Sequence, residues 1–305
     1  MYPELLHIGS FTLYSYAFFV VIGLLAAAFM FRFLADKLRV GDKIYNFYLL
    51  TGVGSIAVGF MSAMLFQSVY YLIETGKWTF GAMTFMGGLI GGVVCFLAVT
   101  AIAAKKEYKT GFWRIANIIT PSIPVAHAFG RIGCFMNGCC YGVETDGPLG
   151  VLFPGHTHKV FPTQLFEAAF LFLLCAALVV LILKYRRLNI ILIVYLFAYS
   201  VFRFVLEFWR GDDRGEFIGG LSPSQWQSVF MFVIAVALTV CIFRFRLVPF
   251  AGKCSVNSES YRPVSTAAAQ PTDNTGSQNA ETAAQPTDNT GSVSAHDNPS
   301  DSGNS

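Results

Sequence analysis

The chain has 305 residues, of which 54% are hydrophobic and only 13% are charged, with a formal net charge of +3. Soluble domains carry about 25% charged residues, so the composition excludes an ordinary soluble enzyme. Four runs free of Asp, Glu, Lys and Arg cover residues 8–31, 44–73, 78–104 and 217–243. Because about 20 apolar residues cross a bilayer as a helix, the sequence predicts an all-α, polytopic membrane protein and excludes a β-barrel.

Three further apolar segments contain one or two ionisable residues each and bring the predicted number of transmembrane helices to seven. They are residues 115–136 with His127 and Arg131, 163–183 with Glu167, and 188–209 with Arg203 and Glu207.

The loops between these segments predict the orientation. If the N-terminus lies outside, the inside segments hold 15 lysines and arginines and the outside segments hold 4. Cytoplasmic loops are enriched in these residues, so we expect the N-terminus outside and the C-terminus in the cytoplasm. Basic residues in short loops suit anionic lipids, and a nucleic-acid partner is not expected.

The composition changes after residue 253, which predicts two parts: a seven-helix membrane domain over residues 1–253 and a tail over residues 254–305. The tail repeats the sequence AAQPTDNTGS at 268–277 and 283–292. Such polar sequence buries too little apolar surface to offset the entropy of ordering, so we expect a disordered cytoplasmic tail.

Ionisable residues inside predicted spans indicate a functional site, because charge in the hydrocarbon is costly. Arg131, Arg203 and Glu167 fall at one depth, near the predicted outer surface. Glu207 and Arg210 follow Arg203 at helical spacing, so the three share a face. Guanidinium groups bind phosphate through paired hydrogen bonds, which favours a phospholipid headgroup as ligand. The alternative is that the arginines only pair with the two glutamates and fix the helix bundle, or extend to the interface.

The sequence from 127 to 142, HAFGRIGCFMNGCCYG, is rich in glycine, which allows close helix approach, and it contains an amide at Asn137 beside Gly138. With this stretch, the chain resembles the bacterial prolipoprotein diacylglyceryl transferase family. The matching segments occur in the family's order at residues 85–91, 130–142, 153–155, 162–167, 202–210 and 222–225.

The resemblance implies an enzyme of the bacterial inner membrane that acts in lipoprotein biosynthesis. It would transfer a diacylglyceryl group from phosphatidylglycerol to the thiol of the lipobox cysteine of a preprolipoprotein and release glycerol phosphate. Phosphatidylglycerol, lipobox segments and membrane lipids are the expected partners.

Roles for individual residues follow from this chemistry. Arg131 and Arg203 would stabilise the phosphate that leaves, and His127 is a candidate base for the thiol proton, although it could simply form a hydrogen bond within the bundle. The expected phosphatidylglycerol-binding residues are Arg131, Asn137, Gly138, Gln164, Glu167, Arg203, Glu207 and Arg210.

Three residues depart from the family's usual pattern. Met86 replaces a histidine or tyrosine, Cys134 an asparagine, and Cys139 a glutamate. Two other functions therefore stay open: a non-catalytic, lipid-binding paralogue, and a membrane thiol oxidoreductase that uses Cys134, Cys139 and Cys140. No cofactor or metal is expected, because His156 and His158 have no matching ligands in the sequence.

Overall fold

The computed structural model describes residues 4–8, 11–78, 83–102, 111–154, 157–185, 188–211, 220–244, 247–248 and 252–253. Helices dominate this part of the chain. They are α1 (Ser15–Lys37), α2 (Asp42–Thr75), α3 (Phe85–Ile102), α4 (Phe112–Ile119), α5 (Ser122–Asn137), α6 (Thr163–Leu183), α7 (Ile191–Leu206) and α8 (Pro223–Phe243). Single 3₁₀ turns, Leu188–Ile190 and Glu207–Trp209, flank α7. The predicted tail, residues 254–305, lies outside the described residues.

Two short antiparallel hairpins accompany the helices. Strands β1 (Glu4–Ile8) and β2 (Phe11–Tyr14) pair ahead of α1, and β3 (Leu247–Val248) pairs with β4 (Gly252–Lys253). The first helix therefore begins at Ser15 rather than at residue 8 as predicted. A short apolar run does not distinguish a strand from a helix, which explains the error.

Within the described residues, five helical segments are long and apolar enough to cross a membrane. They are Ser15–Lys37, Asp42–Thr75, Thr163–Leu183, Leu188–Trp209 and Pro223–Phe243. The other two predicted spans are shorter: α3 has 18 residues, and the fourth span is divided into α4 and α5. The division falls at Pro121, which has no N–H to donate to the helix. The count of seven stays a prediction.

Small residues bring neighbouring helices close together. A Cβ atom on Gly59 of α2 would lie 2.9 Å from the carbonyl oxygen of Gly88 on α3, and a Cβ atom on Gly91 would lie 2.3 Å from Oγ of Ser62. Without a hydrophobic driving force between helices in lipid, such close backbone packing holds them together. Helices α2 and α3 therefore form a tightly packed pair.

Helices α1 and α5 pack in opposite directions. Gly23 meets the carbonyl oxygen of Ala126 at 2.9 Å from its ideal Cβ position, and Gly133 meets Cα of Tyr16 at 3.4 Å. The two helices are therefore antiparallel, and the end of α5 that carries Arg131 lies beside the beginning of α1. The buried core of large side chains continues along α1, α2, α4, α6 and α7. These helices position the site described next.

Candidate active site

A buried carboxylate at the start of α6 gathers charged and polar groups from two other helices. The side chain of Glu167 is 2% exposed, and its Oε2 lies 3.1 Å from Nε of Arg131 on α5 and 3.9 Å from Nη1 of Arg203 on α7. Its Oε1 accepts a hydrogen bond of 2.9 Å from the hydroxyl of Tyr199 and lies 3.6 Å from Nε2 of His127. One glutamate thus joins α5, α6 and α7.

His127 lies one helical turn before Arg131 and contacts it directly. Nε of Arg131 donates to Nε2 of His127 at 3.3 Å, which requires that this ring nitrogen carry no proton. The imidazole also packs edge-on against the ring of Tyr199, with 5.3 Å between ring centroids. The neutral imidazole is therefore held between a guanidinium and a carboxylate.

A second carboxylate, in the turn that follows α7, extends the network beyond the end of that helix. Oε2 of Glu207 lies 2.8 Å from Nη2 of Arg203 and 3.9 Å from Nε of Arg210. The N-terminal region of α8 completes it: the hydroxyl of Ser222 donates to Oε1 of Glu207 at 2.8 Å, and Nη2 of Arg203 donates to Oγ of Ser224 at 2.9 Å. Ser222 also caps α8 in a capping box with Gln225, so the serines are fixed by the helix they begin.

We call the six ionisable residues His127, Arg131, Glu167, Arg203, Glu207 and Arg210 the arginine–carboxylate cluster. It contains three guanidinium groups and two carboxylates. Within the described residues, Nη1 of Arg203 is buried and makes no hydrogen bond. The ion pairs of the structural alternative are thus present, yet they leave this donor of Arg203 without a hydrogen bond.

The loop after α5 is held by the first turn of α6. Nε2 of Gln164 donates to the carbonyl oxygen of Cys139 at 2.7 Å, and the hydroxyl of Thr163 donates to that of Cys140 at 2.9 Å. Gly138 takes a left-handed conformation, with φ of 74°, which glycine adopts without steric cost. Gly138 and Gln164 therefore shape this loop through the backbone, whereas Asn137 is exposed at the end of α5.

The same loop crosses the end of α7 beside Arg210. The N–H of Val143 donates to the carbonyl oxygen of Trp209 at 2.9 Å, and Gly142 and Arg210 form an antiparallel bridge. A Cβ atom at Gly142 would lie 2.5 Å from that Trp209 oxygen. Only glycine fits this crossing, which ties the loop to the position of Arg210.

Three thiols lie in this loop and at the end of α5. The sulfur atoms of Cys134, Cys139 and Cys140 all lie within 4.8 Å of one another, and the structure describes all three as thiols. Hydrogen bonds from Cys134 and Cys139, with Arg210 and Arg131 nearby, lower the pKa of the Cys140 thiol below its usual value.

The structure brings together six of the predicted site residues and adds three that the sequence analysis did not assign. Tyr199, Ser222 and Ser224 contact the cluster directly. Tyr199 precedes Arg203 by four residues, so its place on the same helical face was visible in the sequence. Met86 is 39% exposed on α3.

Long apolar helices around a buried network of guanidinium and carboxylate groups define a multi-pass membrane protein with a polar site in its interior. Residues 3–241 match the family model for prolipoprotein diacylglyceryl transferase. The chain belongs to the prolipoprotein diacylglyceryl transferase family.

Individual relatives agree with this match over most of their length. A phosphatidylglycerol–prolipoprotein diacylglyceryl transferase from Clostridium tetani is 31% identical over 255 residues, which cover 81% of this chain and 99% of the relative. The enzyme of the same name from Geobacter sulfurreducens is 31% identical over 262 residues, with 81% and 97% coverage. In Clostridium perfringens, phosphatidylglycerol–prolipoprotein diacylglyceryl transferase 2 is 30% identical over 243 residues, with 74% and 90% coverage.

Proposed function

We propose that this protein transfers a diacylglyceryl group from phosphatidylglycerol to the thiol of a cysteine in a prolipoprotein, in the arginine–carboxylate cluster. The observation that carries the proposal is that the guanidinium groups of Arg131 and Arg203 converge on one buried carboxylate, while Nη1 of Arg203 makes no hydrogen bond within the described residues. A phosphate group supplies both the negative charge and the acceptor oxygen that this arrangement requires.

The chemistry follows from the atoms involved. The cysteine thiolate attacks the glyceryl carbon that bears the phosphate, a carbon–sulfur bond forms, and the carbon–oxygen bond to the phosphate breaks. Negative charge then increases on the leaving glycerol phosphate. Arg131, whose side chain is 17% exposed, and Arg203, whose side chain is 7% exposed, stabilise that charge because their guanidinium groups act in a site that is largely shielded from water.

His127 is the candidate acceptor of the thiol proton. Its Nε2 holds no proton while it accepts the Arg131 hydrogen bond, and that bond is released when Arg131 turns towards a phosphate. The imidazole is then free to take a proton, and Glu167 at 3.6 Å stabilises the resulting imidazolium. Glu207, Arg210, Ser222 and Ser224 position Arg203 in this scheme.

The membrane arrangement belongs to the same proposal. Seven transmembrane helices, an outside N-terminus and a location in the bacterial inner membrane place the cluster beneath the outer headgroups. This arrangement rests on the charge of the loops and on the family. It gives phosphatidylglycerol and the exported prolipoprotein access to the same side of the bilayer.

The test is a lipidation assay with the purified full-length protein in phospholipid nanodiscs. A peptide with a lipobox cysteine is added to discs that contain phosphatidylglycerol, and the product is followed by mass spectrometry with parallel detection of glycerol phosphate. We expect the peptide to gain one diacylglyceryl group for each glycerol phosphate released.

Two controls make the result specific. A peptide with serine in place of the cysteine, and discs that contain only phosphatidylcholine, should both give no product. If phosphatidylglycerol binds to the protein in native mass spectrometry but no thioether forms, the chain is a lipid-binding paralogue and the proposed activity is wrong.

A further inference from the structure

The three clustered thiols have no role in the transfer reaction derived above. Their three sulfur atoms all lie within 4.8 Å of one another. Their proximity has a local structural cause.

The backbone that ends α5 folds Cys139 back over Cys134. The N–H of Cys139 donates to the carbonyl oxygen of Cys134 at 3.1 Å, and the N–H of Gly138 donates to that of Phe135 at 3.2 Å. This pair of bonds is a Schellman motif, in which the left-handed glycine reverses the chain. The motif places residues five apart in sequence side by side, so two sulfurs meet at the helix end.

The third sulfur is brought in by an unfavourable backbone conformation. Cys140 has φ of 67°, in the left-handed region, which costs a residue with a Cβ atom about 1–2 kcal/mol. Thr163 and Gln164 bind the carbonyl oxygens of Cys140 and Cys139 and hold this conformation. Backbone strain that surrounding contacts maintain in this way is typical of functional sites. Here it gathers a third thiol beside two others.

We propose that Cys134, Cys139 and Cys140 bind a thiophilic metal ion, with Zn²⁺ as the ion that suits them best. In a tetrahedral zinc site with Zn–S bonds of about 2.3 Å, neighbouring sulfurs lie about 3.8 Å apart. Each sulfur–sulfur distance needs to shorten by about 1 Å at most to reach that spacing. They release their protons on binding, and the fourth position is left for water or another ligand.

Charge supports this assignment. Three thiolates and one Zn²⁺ carry a net charge of −1, and the positively charged Arg131 precedes Cys134 by three residues on α5, a spacing that places the two side chains on the same helical face. A positively charged surrounding stabilises thiolates and their metal complexes. A disulfide would use only two of the three sulfurs and would leave the third beside it, so the arrangement fits a metal ion better.

The test is direct spectroscopy on the full-length protein in detergent, purified with a reductant and treated with a chelator. Co²⁺ is the probe, because thiolate ligands give it an intense charge-transfer absorption and a tetrahedral site gives visible d–d bands. We expect saturation at one Co²⁺ per chain and loss of the spectrum when Zn²⁺ is added. This readout is independent of lipid transfer, so its failure and a failure of the proposed function are distinguishable.

Single variants identify the ligands. Cys134→Ser, Cys139→Ser and Cys140→Ser should each remove about a third or more of the charge-transfer intensity, as expected for the loss of one sulfur of three. Cys241→Ser and Cys95→Ser, which change cysteines elsewhere in the chain, should leave the spectrum intact. Circular dichroism and size-exclusion profiles establish that each variant is folded.

Three outcomes would overturn the proposal. They are a Co²⁺ spectrum without thiolate charge transfer, a spectrum that survives the simultaneous Cys134→Asn, Cys139→Ser and Cys140→Ser changes, and a disulfide between any two of the three cysteines in protein isolated without reductant. The triple variant is checked by the same circular dichroism and size-exclusion measurements, so that loss of the spectrum is not confused with loss of the fold.

Discussion

Two groups of ion pairs lie at opposite ends of the α1–α5 pair and use the same residue types under different conditions. At one end, Arg32 contacts Asp36 at 3.0 Å and Asp42 at 2.9 Å, with side chains 45–76% exposed. At the other end, the contacts of Arg131 with Glu167 and of Arg203 with Glu207 measure 3.1 Å and 2.8 Å, with side chains 2–17% exposed. The distances match, and only the burial differs.

Burial changes what the same contact does. Exposed pairs gain little because water and salt screen them. Removing charged groups from water costs a desolvation free energy that the attraction between the two partners does not fully offset. Removing one partner then leaves the other buried without a counter-charge. A buried cluster of guanidinium and carboxylate groups is therefore costly to keep, which favours a functional role for it. This contrast predicts where substitutions act on activity and where they do nothing.

The largest effect is expected from Arg203→Lys. Lysine keeps the positive charge beside Glu207 but loses the planar fork that binds two phosphate oxygens. We expect kcat/KM for lipidation to fall about 100-fold or more, with little change in the thermal unfolding midpoint. Arg32→Lys is the matched control and should retain wild-type kcat/KM. Normal turnover by Arg203→Lys would contradict its contact with phosphate.

Gly142→Ala tests whether the loop crossing positions the buried cluster. The new Cβ atom would lie 2.5 Å from the carbonyl oxygen of Trp209 and 2.8 Å from that of Phe161, so backbone must move next to Arg210. We expect a loss of about 1–3 kcal/mol in unfolding free energy and a lower kcat. Gly52→Ala, which has nothing within 4 Å, is the control. Equal stability of the two variants would show that the crossing is not tight.

Tyr199→Phe removes one hydrogen bond from the centre of the cluster. The hydroxyl donates to Oε1 of Glu167 at 2.9 Å inside the protein, and such bonds in membrane proteins contribute about 1 kcal/mol. We expect a lower unfolding midpoint in detergent and a modest fall in kcat. Tyr70→Phe, at an exposed position, is the control. If both variants unfold alike, Glu167 does not depend on this bond.

Asp42→Asn tests the exposed group of ion pairs. It removes the contact with Arg32, which retains Asp36 at 3.0 Å. Because these side chains are in contact with solvent, we expect no measurable change in unfolding midpoint or lipidation rate at any salt concentration. A clear loss of stability would mean that the difference in burial does not separate the two groups.

The smallest effect is expected from removing residues 254–305. This prediction comes from the sequence alone, because the tail is polar and repeats the AAQPTDNTGS segment. Lipidation by a chain ending at residue 253 should equal that of the full chain in nanodiscs. A large fall in kcat/KM would assign the tail a part in catalysis.

Local signals predicted some elements well. The fifth span was expected at 163–183, and α6 has the same bounds, because Pro162 precedes the run and Lys184 follows it. Similarly, the placement of Arg131, Glu167 and Arg203 at one depth anticipated their meeting. Residue spacing and the cost of buried charge were sufficient for these predictions.

Contacts that depend on chain reversals were not predictable from the same signals. Ser222 and Ser224 reach the cluster from α8, and nothing in their own sequence shows that they face Glu207 and Arg203. The sequence places Cys134, Cys139 and Cys140 within seven residues of one another, but the meeting of all three sulfurs depends on the left-handed backbone at Cys140. Residues with a Cβ atom rarely adopt that conformation.

The length of α2 has a consequence for the surrounding lipid. Its charge-free run, residues 44–73, measures about 45 Å as a helix, whereas the hydrocarbon layer is about 30 Å thick. An upright orientation would push about ten apolar residues into the headgroups, so this helix has to lean steeply or the bilayer has to thicken around it. The protein should therefore respond to membrane thickness along this flank, which vesicles of graded acyl-chain length would reveal.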